Sequence, residues 1–103
     1  MGTADFDRFS DPSVLILASL AGGAKHGYAM MEDIEAMSGV RLGPGTLYGA
    51  ISRLEKHGFI MSLETEDRRR PYCLTPSGAD VLKKQLTSLS HIAVTGLQRL
   101  ALQ

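Results

Sequence analysis

Three features of the sequence predict a mainly α chain carrying one small β-hairpin. Asp11-Pro12, Gly43-Pro44 and Thr75-Pro76 each place a capping position before a proline suited to the first turn of a helix. Phe59–Leu63 and Pro71–Leu74 are short apolar runs separated by a charged turn, Glu64–Arg70, as the strands of a hairpin are. Leu82, Leu86, Leu89, Ala93, Gly96 and Leu100 follow steps of four and three along the last helix, the spacing of a coiled-coil seam. A helix opening on small residues, a basic hairpin and a long helix, in that order, predict a winged helix-turn-helix plus a long C-terminal dimerisation helix.

The elements follow in turn. Residues 1–10 are polar and predicted to be a flexible N-terminus; 11–75 form the winged helix-turn-helix; 76–103 form the dimerisation helix. A first helix runs from Asp11-Pro12 to about Ala21, where Gly22-Gly23 stops it. Val14, Leu15, Ile16, Leu17 and Leu20 cover more than one face, so a surface beyond its own core, most simply a partner subunit, is expected to bury this helix. A second helix, Tyr28–Met37, carries Met30 or Met31, Ile34 and Met37 at helical spacing, read as pliable core. Ser38-Gly39 ends it.

The third helix spans Pro44 to His57, with Gly58 in the left-handed position that closes it. Leu47, Ile51 and Leu54 form its inward stripe. At about 100° per residue the opposite face holds Gly45, Gly49, Ser52 and Lys56, with Tyr48 and Arg53 on its flanks. Two glycines cost helix propensity of roughly 1 kcal/mol each, which makes sense where a backbone must approach DNA bases. Close packing of another helix is the competing explanation. In the hairpin turn, Arg68, Arg69 and Arg70 suit phosphate contact, although Glu64, Glu66 and Asp67 offer surface ion pairs instead.

Composition sets bounds. The chain has 103 residues, 44% hydrophobic, zero formal net charge and pI near 6.8, so any nucleic-acid surface must be local. Six basic residues (Arg41, Arg53, Lys56, Arg68, Arg69, Arg70) against four acids over 41–70 supply a modest local excess. The lone Cys73 provides neither an internal disulfide nor a metal site. No apolar run approaches the roughly 20 residues of a membrane span and no basic leader precedes it, so a cytoplasmic protein without membrane contact, metal or cofactor is expected. His26, His57 and His91 are scattered and no phosphate-loop or metal spacing occurs, which argues against an enzyme. The rival to a DNA-binding module is a winged-helix protein–protein adaptor dimer, favoured by the zero net charge and opposed by the arginine run and the small-residue helix face.

Several motifs in order resemble the PadR family of bacterial transcriptional regulators, in its short form with a single C-terminal helix. They are His26-Gly27-Tyr28, Pro44-Gly45-Thr46-Leu47-Tyr48, Arg53-Leu54-Glu55 with Gly58-Phe59-Ile60, and Arg68-Arg69-Arg70-Pro71-Tyr72 before Leu74-Thr75, together covering about residues 13–82. The resemblance implies a homodimer that binds double-stranded, pseudo-palindromic DNA operators and usually represses, joined through the C-terminal helix with help from the first. It makes Tyr28, Thr46, Tyr48, Arg68, Arg69 and Arg70 contact candidates; Gly45, Gly49, Ser52, Arg53 and Lys56 come from the helical wheel. Expected dimer residues are Leu15, Leu82, Leu86, Leu89, Ala93, Gly96, Leu97 and Leu100. Two departures stand out: Gly49 where the family commonly has proline, and Gly43 where it commonly has a capping serine. Some short members resemble sensors that hold planar ligands between tryptophans; this chain has no Trp, so that mechanism does not transfer directly, and the gap near Ala93 and Gly96 is read first as unfilled space or tight helix packing, with a small apolar effector as the alternative.

Overall fold

The computed structural model describes residues 11–64 and 69–103. The expected N-terminal segment, 1–10, and Glu66, Asp67 and Arg68 of the expected hairpin turn lie outside the described residues. Among the described residues four helices and three short strands follow one another: α1 Pro12–Ala21, β1 Lys25–His26, α2 Gly27–Ser38, α3 Pro44–Lys56, β2 Ile60–Ser62, β3 Pro71–Leu74 and α4 Pro76–Ala101. Three helices start where the proline grammar places them. Asp11 Oδ1 accepts from the Ser13 N–H at 3.0 Å and Thr75 Oγ1 accepts from the Gly78 N–H at 3.1 Å, whereas Gly43 caps α3 with no side chain at all. The α2 C-cap Gly39 (φ 76°) and Gly58 (φ 78°) after α3 are left-handed, where a Cβ would be strained.

The hairpin is one edge of a three-stranded antiparallel sheet ordered β1-β3-β2. Lys25 faces Tyr72 and His26 faces Pro71, while Ile60, Met61 and Ser62 face Leu74, Cys73 and Tyr72. β1 is absent from the sequence reading because two residues carry no period. Its consequence is structural: the start of α2 is tied to the base of the wing.

α1 lies at the centre, packed by α2, α3, α4 and β3. Val14, Leu15, Ile16, Leu17 and Leu20 are all buried by this chain alone, which corrects the expectation that a partner must cover α1. Leu15 is 8% exposed and Leu82 5%, so both belong to the domain core and not to the dimer surface predicted for them. A helical stripe reveals that a face is apolar; it does not reveal which neighbour covers it. In α2, Met30 and Ile34 are fully buried, and Met37, expected inward, stands 47% exposed beyond the last turn of packing. Val40 and Leu42 bury the α2–α3 turn and so fix the angle between those helices.

α4 docks only by its N-terminal turns. Thr75 and Ser77 hydroxyls both donate to the Gly58 carbonyl, at 2.7 and 3.1 Å, and the Thr75 N–H donates to the Phe59 carbonyl at 3.1 Å. Gly78 sits so close to Phe59 that a Cβ would overlap its carbonyl. Past Leu89, apolar Ile92, Val94, Leu97 and Leu100 are exposed, Leu97 by 68%. Among the described residues, no helix is long and apolar enough to cross a membrane.

Candidate nucleic-acid interface

Among the described residues, none covers the outer face of α3. Leu47, Ala50, Ile51 and Leu54 are buried; Gly45, Thr46, Tyr48, Ser52, Arg53 and Lys56 are exposed and Gly49 is half-buried. The wheel derived from the sequence therefore matches this side of the helix. A Cβ at Gly45 would meet nothing within 4 Å, and at Gly49 only the Arg53 guanidinium at 3.8 Å. Neither glycine is needed for packing among the described residues, so close packing inside the chain does not account for them. The uncapped N-terminus of α3 also leaves first-turn N–H groups without a side-chain acceptor.

Beside this face a pocket of about 290 Å³ is lined by His26, Gly27, Tyr28, Tyr48, Arg69, Arg70 and Tyr72. Three elements converge on it: the start of α2, the first turns of α3 and β3 with the residues before it. Tyr28 and Tyr48 are 56% and 46% exposed, large aromatic areas for a chain with few aromatics. Tyr48 bridges the helices, the hydroxyl end of its ring lying against Gly27 where a Cβ would overlap it. Arg69 Nη1 lies 3.2 Å from His26 Nε2, and both Arg69 and Arg70 are exposed.

Charge in the region is selective. Arg41, one of the six basic residues over 41–70, is engaged with α2, where its Nη1 donates to Glu35 Oε1 at 2.6 Å. Lys25 donates to the Gly23 carbonyl at 3.2 Å and lies 3.8 Å from Asp33, whose Oδ2 accepts from the buried Ser19 hydroxyl at 2.6 Å. Both cations reinforce structure. Among the described residues no carboxylate comes within 4 Å of the charged groups of Arg53, Lys56, Arg69 or Arg70. The remaining positive charge thus lies along α3 and the wing base.

The structure brings Tyr28, Tyr48, Arg69 and Arg70 together around the pocket of about 290 Å³, with Thr46 exposed in the same first turns of α3 as Tyr48, whereas Arg53 lines a separate pocket with Asp11, Ser13 and Gln85. His26, Gly27 and Tyr72 were not expected at the first of these. His26-Gly27-Tyr28 was visible as a motif, but the register that sets His26 opposite Pro71, and so beside Arg69, is a long-range fact. Among the described residues no three His, Cys, Asp or Glu side chains converge as a metal would require.

Comparison with known proteins agrees with this architecture. The model of the transcriptional regulator PadR-like family matches residues 16–84. A transcriptional regulator of Mycobacterium tuberculosis is 33% identical over 81 residues, 76% of this chain and 75% of that protein. An uncharacterised 37.1 kDa protein in a transposon of Streptomyces fradiae is 45% identical over 86 residues; these are 84% of this chain but 25% of that protein, so the chain spans a quarter of its length. Among solved structures, a PadR family transcription regulator from Clostridium difficile superposes with a TM-score of 0.77 at 26% identity, covering 86% of this chain and 97% of the other. A transcriptional regulator from Clostridium thermocellum gives 0.74 at 29% identity, covering 84% and 87%. With two thirds of its length matched by the family model and its winged-helix fold shared with these regulators, the chain belongs to the PadR-like family of transcriptional regulators.

Proposed function

We propose that the chain works as a homodimer that binds a pseudo-palindromic DNA operator and represses transcription until a signal releases it. The observation that carries this reading is the outer face of α3: among the described residues Gly45 and Gly49 serve no packing need, exposed Thr46, Ser52, Arg53 and Lys56 share the helix with them, and Tyr48 of the same helix lines a pocket with Arg69 and Arg70. Small residues let the helix backbone approach base edges, and the flanking cations fix its register on phosphate. An adaptor would display a broad apolar surface here; Tyr28 and Tyr48 are exposed beside α3, but the exposed aliphatic side chains Leu86, Ile92, Val94, Leu97 and Leu100 gather on α4.

In this reading residues 11–75 bind DNA and 76–103 join the subunits. The seam is formed by Leu86, Ala93, Gly96, Leu97 and Leu100, which α4 leaves exposed, with Ile92 beside them and the half-buried Leu89 at the boundary with the domain core. Ala93 and Gly96 make the contact shallow in its middle, and a small apolar effector lodged there would be the releasing signal. The protein acts in the cytoplasm and catalyses nothing.

Selection of duplexes from a random pool by the purified chain tests this reading. Enrichment of inverted repeats with half-sites about 34 Å, one helical turn, apart is expected. A pool that remains unenriched contradicts it.

A further inference from the structure

His26 makes two contacts that its ring cannot satisfy at once. As N-cap of α2, its Nδ1 accepts from the Ala29 N–H at 3.3 Å. An imidazole nitrogen accepts only when it bears no proton, and a ring with one bare nitrogen carries its proton on the other. Nε2 is then an N–H donor. Arg69 Nη1, which is always a donor, stands 3.2 Å from that same Nε2.

Two resolutions exist. If Nε2 gave up its proton to accept from Arg69, Nδ1–H would face the Ala29 N–H and the cap would be lost, leaving a part-buried backbone donor unpaired. Arg69, being exposed, loses little by not bonding the ring. The cap therefore prevails, and two N–H donors stand 3.2 Å apart on the wall of one opening, with no acceptor for either among the described residues.

The surroundings define what fills it. The opening is part of the pocket lined by Gly27, Tyr28, Tyr48, Arg70 and Tyr72, which has no carboxylate among its described lining residues and borders the outer face of α3. Two donors lining one opening, one of them cationic and with a second arginine alongside, suit a tetrahedral oxyanion; donors this close address one phosphate rather than two successive ones. We propose that His26 Nε2–H and the Arg69 guanidinium together hold one phosphate of the DNA backbone, so that His26 is both the cap of α2 and a phosphate-binding residue. This rests on the DNA-binding reading above. It also assigns β1 a purpose: pairing with β3 is what brings a residue of the helix-turn-helix within reach of the wing.

The test uses the full chain and a duplex enriched from a random pool. His26→Asn keeps a side-chain oxygen for the cap but is too short to enter the opening. It should melt close to the wild type and bind at least about tenfold more weakly, the size expected of a lost bond to a charged group. Because the ring donor is uncharged, the salt slope should stay the same, whereas Arg69→Ala should flatten it by about 2 per dimer. Replacing single phosphates by methylphosphonate should reveal one position per half-site that weakens the wild type but neither variant further. In long-range ¹⁵N–¹H spectra, the free wild-type ring should carry its proton on Nε2.

Tight binding by His26→Asn, additive losses at every phosphate, or an Nδ1–H ring in the free protein would each overturn the inference. Inorganic phosphate that moves the His26 signals as far as the duplex does would overturn it in favour of a free-anion site. Failure to enrich any duplex is a different result: it removes the DNA-binding reading first, and this inference with it.

Discussion

The ring of Tyr48, in the first turns of α3, rests against the backbone of Gly27, the first residue of α2, in the space where any other residue would hold its Cβ. One aromatic side chain thereby fixes how the two helices of the motif meet at the end that faces the wing. Gly27 has an ordinary helical φ, so alanine is compatible with the backbone, and the obstructing atoms belong to a half-exposed ring that can swing aside. Gly27→Ala should therefore leave the melting temperature unchanged or raise it, with helix propensity gaining up to about 1 kcal/mol, while DNA affinity falls because Tyr48 is displaced. Calorimetry and a binding titration on one preparation check both halves.

Gly78 is the contrasting case. Its missing Cβ is needed by the Phe59 carbonyl, a backbone group that cannot turn away without releasing the hydrogen bonds of Thr75 and Ser77 to Gly58 and Phe59. Gly78→Ala should cost more than about 2 kcal/mol, at the upper end of overpacking losses. Denaturant unfolding measures it, and a variant as stable as the wild type would show that α4 docks less tightly than described.

Gly45 and Gly49 separate stability from function. With open space at the first and only a guanidinium near the second, alanine at both should stabilise the free protein by about 0.5–1 kcal/mol per site. The same substitutions should weaken operator binding by hindering backbone approach. Stabilisation with unchanged affinity would place the DNA elsewhere.

On α4 two leucines in one stripe should behave differently. Leu97→Arg, at a position 68% exposed, should give a folded monomer by sedimentation velocity. Leu82→Ala, 5% exposed, should instead lower stability by roughly 2–5 kcal/mol through a core cavity, and Leu15→Ala likewise.

Local chemistry made most of the fold legible. Proline at N1 after Asp11, Gly43 and Thr75, and glycine after α3, encode helix ends within a few residues, and the α3 wheel follows from spacing alone. What escaped was long-range. Strand β1 exists only because Tyr72 and Pro71 pair with it, the His26 cap is an imidazole where hydroxyl or carboxamide side chains are the usual signal, and Leu15 and Leu82 differ from Leu97 only in what happens to pack on them. The site was legible to the same extent: its α3 half is periodic and was read, whereas its His26–Arg69 side depends on a strand register that no periodicity records.

A titration of a selected duplex at several salt concentrations tests the central claim most directly, because it reports stoichiometry and phosphate contact together. Two chains per duplex, with log K falling against log salt at a slope of about −5 to −7, as neutralisation of six to eight phosphates requires, is the predicted result. One chain per duplex, or a slope near zero, would contradict it.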